Sequence, residues 1–451
     1  MPRPIASFRW SLAVCLLFLI TGVWVILGTG RWRTRELLAW DAQAYHQYLP
    51  AVFIHHDLLD MRYLQQGHPY IVHPDYTPSS GIFMVPATGH ACNKYTMGTA
   101  VFEAPFFLVA QAWNKLYAPA EAMDGEAPAH QLAMAVSSVF WAALGLWVLG
   151  RFLRRYLSDG YTALALLVIG GGTNLYYYAA FAGGMAHPYL FFLFSLVLER
   201  TDAWYRSPRT STAAMLGTAI GLVVLTRPVD VLIALVPLTW WLGARETRAR
   251  AWTLLRTHRS HLLLAAVIAF LCVLPQLLYW KAATGHFLFY AYRTERFIFS
   301  EPHVINGLFS FRKGWFVYTP LVLVAWCGVP LLWRDRTLRP YAVMLLLFFI
   351  PFLYVVFSWW SWWYGGGFGA RPLVESLALL ALPLGVLARW AFQGAWLKRI
   401  AMGGVLAGGM YLYIFQQWQY YRGYIHWDAM NAERYRQVFG RTDIDDLPPF
   451  P

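Results

Sequence analysis

The chain has 451 residues, of which 58% are hydrophobic and only 13% charged, well below the roughly 25% charged residues of soluble domains. That balance excludes an ordinary soluble enzyme and predicts an all-α polytopic membrane protein, for which length alone sets no domain count. The net charge of +13 does not point to nucleic acid, because the arginines fall in short loops between apolar runs, which is a pattern of membrane topology.

The first apolar run, 9–29, is long enough to span a bilayer. Arg31, Arg33 and Arg35 follow it where a signal peptide would carry a small-residue cleavage site, so it reads as a signal-anchor helix. A long outer loop, 30–132, comes next. Inside it the stretch 97–113 is apolar but interrupted by Glu103 and Pro105. Counting it as a span would put every later arginine loop on the wrong side, so it reads as an interfacial helix. Further apolar runs centre on 133–150, 161–180, 187–200, 211–226, 229–243, 261–280, 317–333, 340–359, 372–388 and 400–418, which makes about eleven transmembrane helices. The pair around Thr226-Arg227-Pro228-Val229-Asp230 also suits one long broken helix. A second outer loop, 281–316, and a short outer tail, 419–451, complete a single domain, 1–451.

Alternate connections carry Arg151/Arg154/Arg155, Arg200/Arg206/Arg209, Arg245/Arg248/Arg250/Arg256/Arg259, Arg334/Arg336/Arg339 and Arg389/Lys398/Arg399. With Arg3 and Arg9 they form one side, cytoplasmic by the positive-inside rule, which places the N-terminus inside. The opposite side collects the histidines, acids, aromatics and glycines, so chemistry is expected there. The four cysteines, Cys15, Cys92, Cys272 and Cys327, show no CxxC or zinc spacing, and no structural disulfide is expected.

Five stretches carry a resemblance: Trp40-Asp41 through Tyr48; Lys94-Tyr95-Thr96-Met97-Gly98 with Pro105-Phe106-Phe107; Leu225-Thr226-Arg227-Pro228; Leu308-Phe309-Ser310-Phe311-Arg312-Lys313-Gly314; and Tyr364-Gly365-Gly366-Gly367-Phe368-Gly369-Ala370-Arg371-Pro372. In this order, after a first span and before many others, the set resembles the bacterial branch of the glycosyltransferase C superfamily, with its protein mannosyltransferase-like and aminoarabinose transferase-like members. The resemblance implies a polyprenyl-phosphate-sugar donor, a saccharide, lipid or protein acceptor, and inverting transfer on the outer face of a bacterial inner membrane. Many relatives carry two adjacent acids at the start of the first loop. Here Asp41 is followed by Ala42 and the nearest acid is Glu36, which disfavours a divalent metal on an acidic pair. No other cofactor is implied.

Inverting transfer needs a base for the acceptor hydroxyl, while a phosphate leaving group needs no acid. Asp41 is the candidate base, against a plain helix-capping role. If 38–49 is helical, Tyr45 and Tyr48 share its face and would contact sugar, with His46, His187 and Glu375 as further sugar or acceptor contacts. Arg371 suits the donor phosphate, since the glycines before it allow close approach and a guanidinium binds phosphate bidentately. Arg227, Arg312, Lys313 and Lys94 are the alternatives. The plainer readings are Arg371 paired with Glu375, Arg227 paired with Asp230, and Lys94 anchoring at the membrane surface. His55-His56-Asp57, with Asp60, His68, His73 and Asp75, suggests metal only weakly, because adjacent helical residues diverge. His426-Trp427-Asp428 has no evident role beyond packing over the outer face. A transporter or flippase of lipid-linked saccharides is the alternative function. Transporters often show paired repeats, and none stands out here.

Overall fold

A computed structural model describes residues 9–65, 72–73, 81–123, 125–243, 245–445 and 447. Of the residues singled out above, Arg3, His68 and Asp75 lie outside these, and His73 and Arg245 are described by their backbone alone. The chain is mostly helical, with one small sheet in the first outer loop.

Among the described residues four helices are long and apolar enough to cross a membrane: Arg9–Thr29, Pro128–Leu153, Arg259–Thr284 and Arg339–Phe357. A fifth results if Asp159–Gly171 and Asn174–Ala180, bent by 61°, form one span. Their outward residues are apolar and uncovered. Ile20 is 65% exposed, Leu263 66% and Ile350 67%, which suits hydrocarbon and not water. The chain is therefore a membrane protein. The eleven expected spans are not all matched by such helices, and the 229–243 run is only the 3₁₀ turn Pro228–Ala234 and the short helix Leu235–Thr239. His187–Arg206 and Trp396–Tyr421 carry more polar residues, while Thr210–Thr226 and Leu377–Phe392 are short. The run expected over 317–333 breaks into Pro320–Trp326 and Val329–Arg334.

The breaks have local causes. Gly171 and Gly172 end one helix, and the Thr173 hydroxyl accepts from the Leu175 N–H to start the next. Pro228 has no N–H and forces Arg227 into an extended conformation (φ −151°, ψ 101°). The helix therefore stops there, and a 3₁₀ turn, Pro228–Ala234, follows.

Helix termini gather at two ends. At one, the Ser11 hydroxyl donates to Asp159 and accepts from Arg154, Arg155 pairs with Asp202 at 2.6 Å and with Glu199, and Arg389 donates to the Tyr156 carbonyl. At the other, Arg31 donates to the Phe181 carbonyl, Thr96 to the Thr226 carbonyl and the Met97 N–H to Gln276. The first set carries the arginine loops and the second carries the candidate site.

The 97–113 segment is a helix, Gly98–Tyr117. A Cβ on Gly98 would sit 2.4 Å from the Thr226 backbone, so glycine is needed for this close approach. Phe102 packs on Trp141, while Phe107 stacks on His130 and Asn114 lies 3.4 Å from it. The helix thus runs antiparallel to the first half of Pro128–Leu153. Two features differ from the sequence reading. Residues 82–84 and 91–93 form an antiparallel hairpin, with 72–73 added in parallel. The arginine loop after residue 243 folds into a helix, Arg245–Thr257, because its Ala and Leu residues give one face that buries Ala251.

Candidate active site

The chain leaves the first span through Trp40, whose φ of 53° is unusual for a residue with a side chain. Asp41 then opens the short helix Asp41–His46. The Tyr95 hydroxyl donates to its Oδ1 at 2.6 Å, and Arg371 Nη2 donates to its Oδ2 at 2.9 Å. The two charged side chains are about one-fifth exposed (23% and 19%). Burial opposes the ionised form of Asp41. The guanidinium of Arg371, the Tyr95 hydroxyl and the nearby Lys94 outweigh it and hold the carboxyl below its ordinary 3.8.

Arg371 reaches this position through the glycine loop. Tyr364, Gly365, Gly367 and Gly369 all have positive φ. Gly367 has φ +144°, and a Cβ there would stand 2.6 Å from the Tyr178 hydroxyl. A Cβ on Gly366 would press on the Trp427 ring at 2.9 Å. The loop is wedged between these aromatics, and no larger residue fits at either position without movement.

The second outer loop and the tail brace it. Lys313 donates to the carbonyls of Gly367 and Trp427. Arg312 pairs with Asp428 at 3.1 Å and lies 3.5 Å over the Trp363 ring, whose N–H also reaches Asp428 at 2.8 Å. Burial pulls the Lys313 ammonium down to about 7, against the attraction of Asp428. The His426-Trp427-Asp428 motif thereby gains a role: Trp427 forms part of the wall, and Asp428 anchors it. Lys313→Met should strip both carbonyls of their charged donor, leaving Trp427 only the Gly367 N–H at 3.3 Å, and lower stability by roughly 1–3 kcal/mol, read as a lower melting temperature of the purified protein in detergent.

Asp41 and Arg371 line a cavity of about 710 Å³ together with Tyr95, Tyr178, Tyr364 and Trp427, and Arg31 lies farther along it. A second layer stands behind this wall. Arg227 donates to Glu375 Oε1 at 2.6 Å, with Asp230 at 3.7 Å, and the other Glu375 oxygen meets His187 Nδ1 at 3.0 Å. His187 sets its ring against Tyr178, and Arg227 lies over Tyr364.

Of the sequence candidates, Asp41 and Arg371 line the cavity and the rest do not. Arg371 pairs with Asp41, not with Glu375. Glu375 instead takes Arg227 and His187, so these three act from behind the wall. Lys94 is buried in an ion pair with Glu295 at 2.5 Å. The expected 38–49 helix begins only at Asp41 and is interrupted at Gln47, and the two tyrosines are corrected by what they touch. Tyr45 packs against the Tyr95 ring at 4.7 Å, and Tyr48 donates to the Tyr95 carbonyl at 2.6 Å. Both hold Tyr95 in place and neither lines the cavity. His46 is also corrected: it is fully buried, bonds the Gly125 carbonyl at 2.7 Å and lies 3.6 Å from Glu103. Among the described residues no three His, Cys, Asp or Glu side chains converge as metal ligands. His55 stacks on Tyr63, and Asp60 pairs with His90.

Sequence reasoning missed Tyr95, Tyr178, Tyr364 and Trp427 as cavity residues. Tyr95 and Tyr364 sit inside quoted motifs and were legible as candidates. Tyr178, in the Tyr176-Tyr177-Tyr178 run, carries no local signal. In comparisons with known proteins, no family model and no curated protein matches the chain.

Proposed function

We propose that the protein is a membrane glycosyltransferase. It moves a sugar from a polyprenyl phosphate to a saccharide, lipid or protein hydroxyl with inversion. The observation that carries this reading is the pairing of Asp41 with Arg371, 330 residues away in sequence, inside one aromatic-walled cavity. A carboxylate and a guanidinium side by side meet the two needs of the reaction: a proton acceptor, and a cation for a phosphate leaving group. Asp41 takes the acceptor proton, the acceptor oxygen bonds to the anomeric carbon, and the carbon–oxygen bond to phosphate breaks with its electron pair on the phosphate. One displacement inverts the anomeric centre. Tyr178, Tyr364 and Trp427 offer rings and hydroxyls to the sugar. In this reading all eleven expected runs span the inner membrane of a bacterium, the arginine-bearing end is cytoplasmic, and the cavity faces outward.

The test is transfer in vesicles. Purified protein is reconstituted with undecaprenyl phosphate carrying a radiolabelled hexose or pentose, with bacterial envelope lipid and saccharide as acceptors. Label should leave the polyprenyl phosphate and appear on an acceptor. Label that crosses the bilayer still attached to its carrier would instead identify a flippase. Arg371→Ala should weaken binding of undecaprenyl phosphate by about tenfold or more, the scale of one lost charge-assisted contact. Unchanged affinity would remove Arg371 from the phosphate site.

A further inference from the structure

We propose that Asp41 and the donor phosphate compete for Arg371, so that seating the donor is what frees the base. This inference rests on the proposed function above. Among the five cations considered for phosphate, four are committed away from the cavity. Arg227 serves Glu375 and Asp230, Arg312 serves Asp428, Lys94 serves Glu295, and Lys313 holds the two loop carbonyls. Arg371 alone of these lines the cavity, and its close polar partner is Asp41. Its other terminal nitrogen makes only a long contact, 3.4 Å, to the Gly366 carbonyl. Asp41 meets Arg371 with one oxygen because Tyr95 holds the other, whereas a phosphate brings two free oxygens that can take both guanidinium nitrogens at once. An arriving phosphate therefore meets an arginine already occupied on one nitrogen by a replaceable anion.

The exchange has a chemical consequence. Paired with Arg371, Asp41 is a poor proton acceptor, because the adjacent positive charge favours its ionised form. Once the phosphate takes Arg371, Asp41 keeps the Tyr95 hydrogen bond, loses that charge and becomes more basic beside the acceptor hydroxyl. The base is armed only when the leaving group is in place. After transfer the proton sits on Asp41, and the phosphate, now a monoester, carries one more negative charge than the donor diester. Neutral Asp41 cannot reclaim Arg371. Loss of its proton to water restores the carboxylate, which then competes the product off.

The experiment measures equilibrium binding of undecaprenyl phosphate to the protein in lipid nanodiscs, for the wild type, Asp41→Asn and Arg371→Ala. Removing the competitor should let Asp41→Asn bind about tenfold more tightly than wild type, as expected when a binding-competent state is sparsely populated until a mutation releases it. Binding by Asp41→Asn that is equal to or weaker than wild type overturns the inference. Asp41→Ala gives a second reading of the same sign if the asparagine variant does not elute as a folded monodisperse protein. Wild-type affinity in Arg371→Ala is a different failure: it removes the phosphate assignment of the proposed function, not merely the competition.

Discussion

Asp41→Asn should abolish sugar transfer, with a loss of roughly 10²–10⁴-fold in kcat, the usual worth of a positioned general base. Asparagine keeps the size and the hydrogen-bonding reach toward Tyr95 and Arg371, so the cavity wall should survive. A radiolabel transfer assay, with melting temperature as the folding control, checks the outcome. Retained transfer at near wild-type rate would end the base assignment. The pH dependence has a defined sign. Because the Asp41 carboxyl is held below its ordinary 3.8, the free protein keeps it ionised throughout the neutral range. The stability it draws from Arg371 is fully present above its unfolded value and is lost only as pH falls through the lower folded value. In kcat/KM, which reports the free enzyme, no acidic limb from Asp41 should therefore appear between about pH 5 and 8.

Arg227→Ala should be the most destabilising single change behind the site. Glu375 and Asp230 are both fully buried, and Arg227 is the cation that faces them at 2.6 and 3.7 Å. Removing one partner of a buried ion pair leaves uncompensated charge and costs about 3–5 kcal/mol. The loss should appear as a large drop in melting temperature or as failure to purify a folded protein. Arg227→Ala combined with Glu375→Gln should recover part of it, since the acid that Arg227 holds at 2.6 Å is then neutral. If Arg227→Ala melts within a degree or two of wild type, the cluster is hydrated and not a buried brace. Arg227→Lys keeps the charge but loses the planar fork, and should fall between the two.

The helical runs were legible because apolar length is a one-dimensional signal. The Arg9–Thr29 and Pro128–Leu153 helices fall where their hydrophobic stretches do. The sorting of helix ends was legible too, because the arginine loops alternate along the sequence with the stretches that carry Asp41 and Arg371. Asp41 and Arg371 stood out as a charge next to a span and a charge after a run of glycines. Their partners were not legible. Nothing local in Arg227 or Arg371 tells which acid each will meet: both lie near Glu375, and the three-dimensional answer gives Glu375 to the residue 148 positions away and not to the one 4 positions away. The tyrosines failed for a related reason. The i, i+4, i+7 argument says which residues share a face but not what that face meets: Tyr45 does sit one turn after Asp41 in the Asp41–His46 helix, yet it and Tyr48 meet Tyr95 and not the cavity. His46 followed the same error, since a histidine beside a candidate base looks functional until its ring is found against Gly125 and Glu103.

The cavity takes one part of its wall from Asp41, another from Arg371 and another from Trp427, positions far apart in the sequence. At synthesis rates of about 5–20 residues per second, Asp41 emerges roughly 15–70 s before Arg371, which lies 330 positions later, and waits longer still for Trp427. The aspartate–arginine pair therefore cannot form until the whole of that interval has been made. A chain cut anywhere between those two positions keeps the carboxylate without its guanidinium.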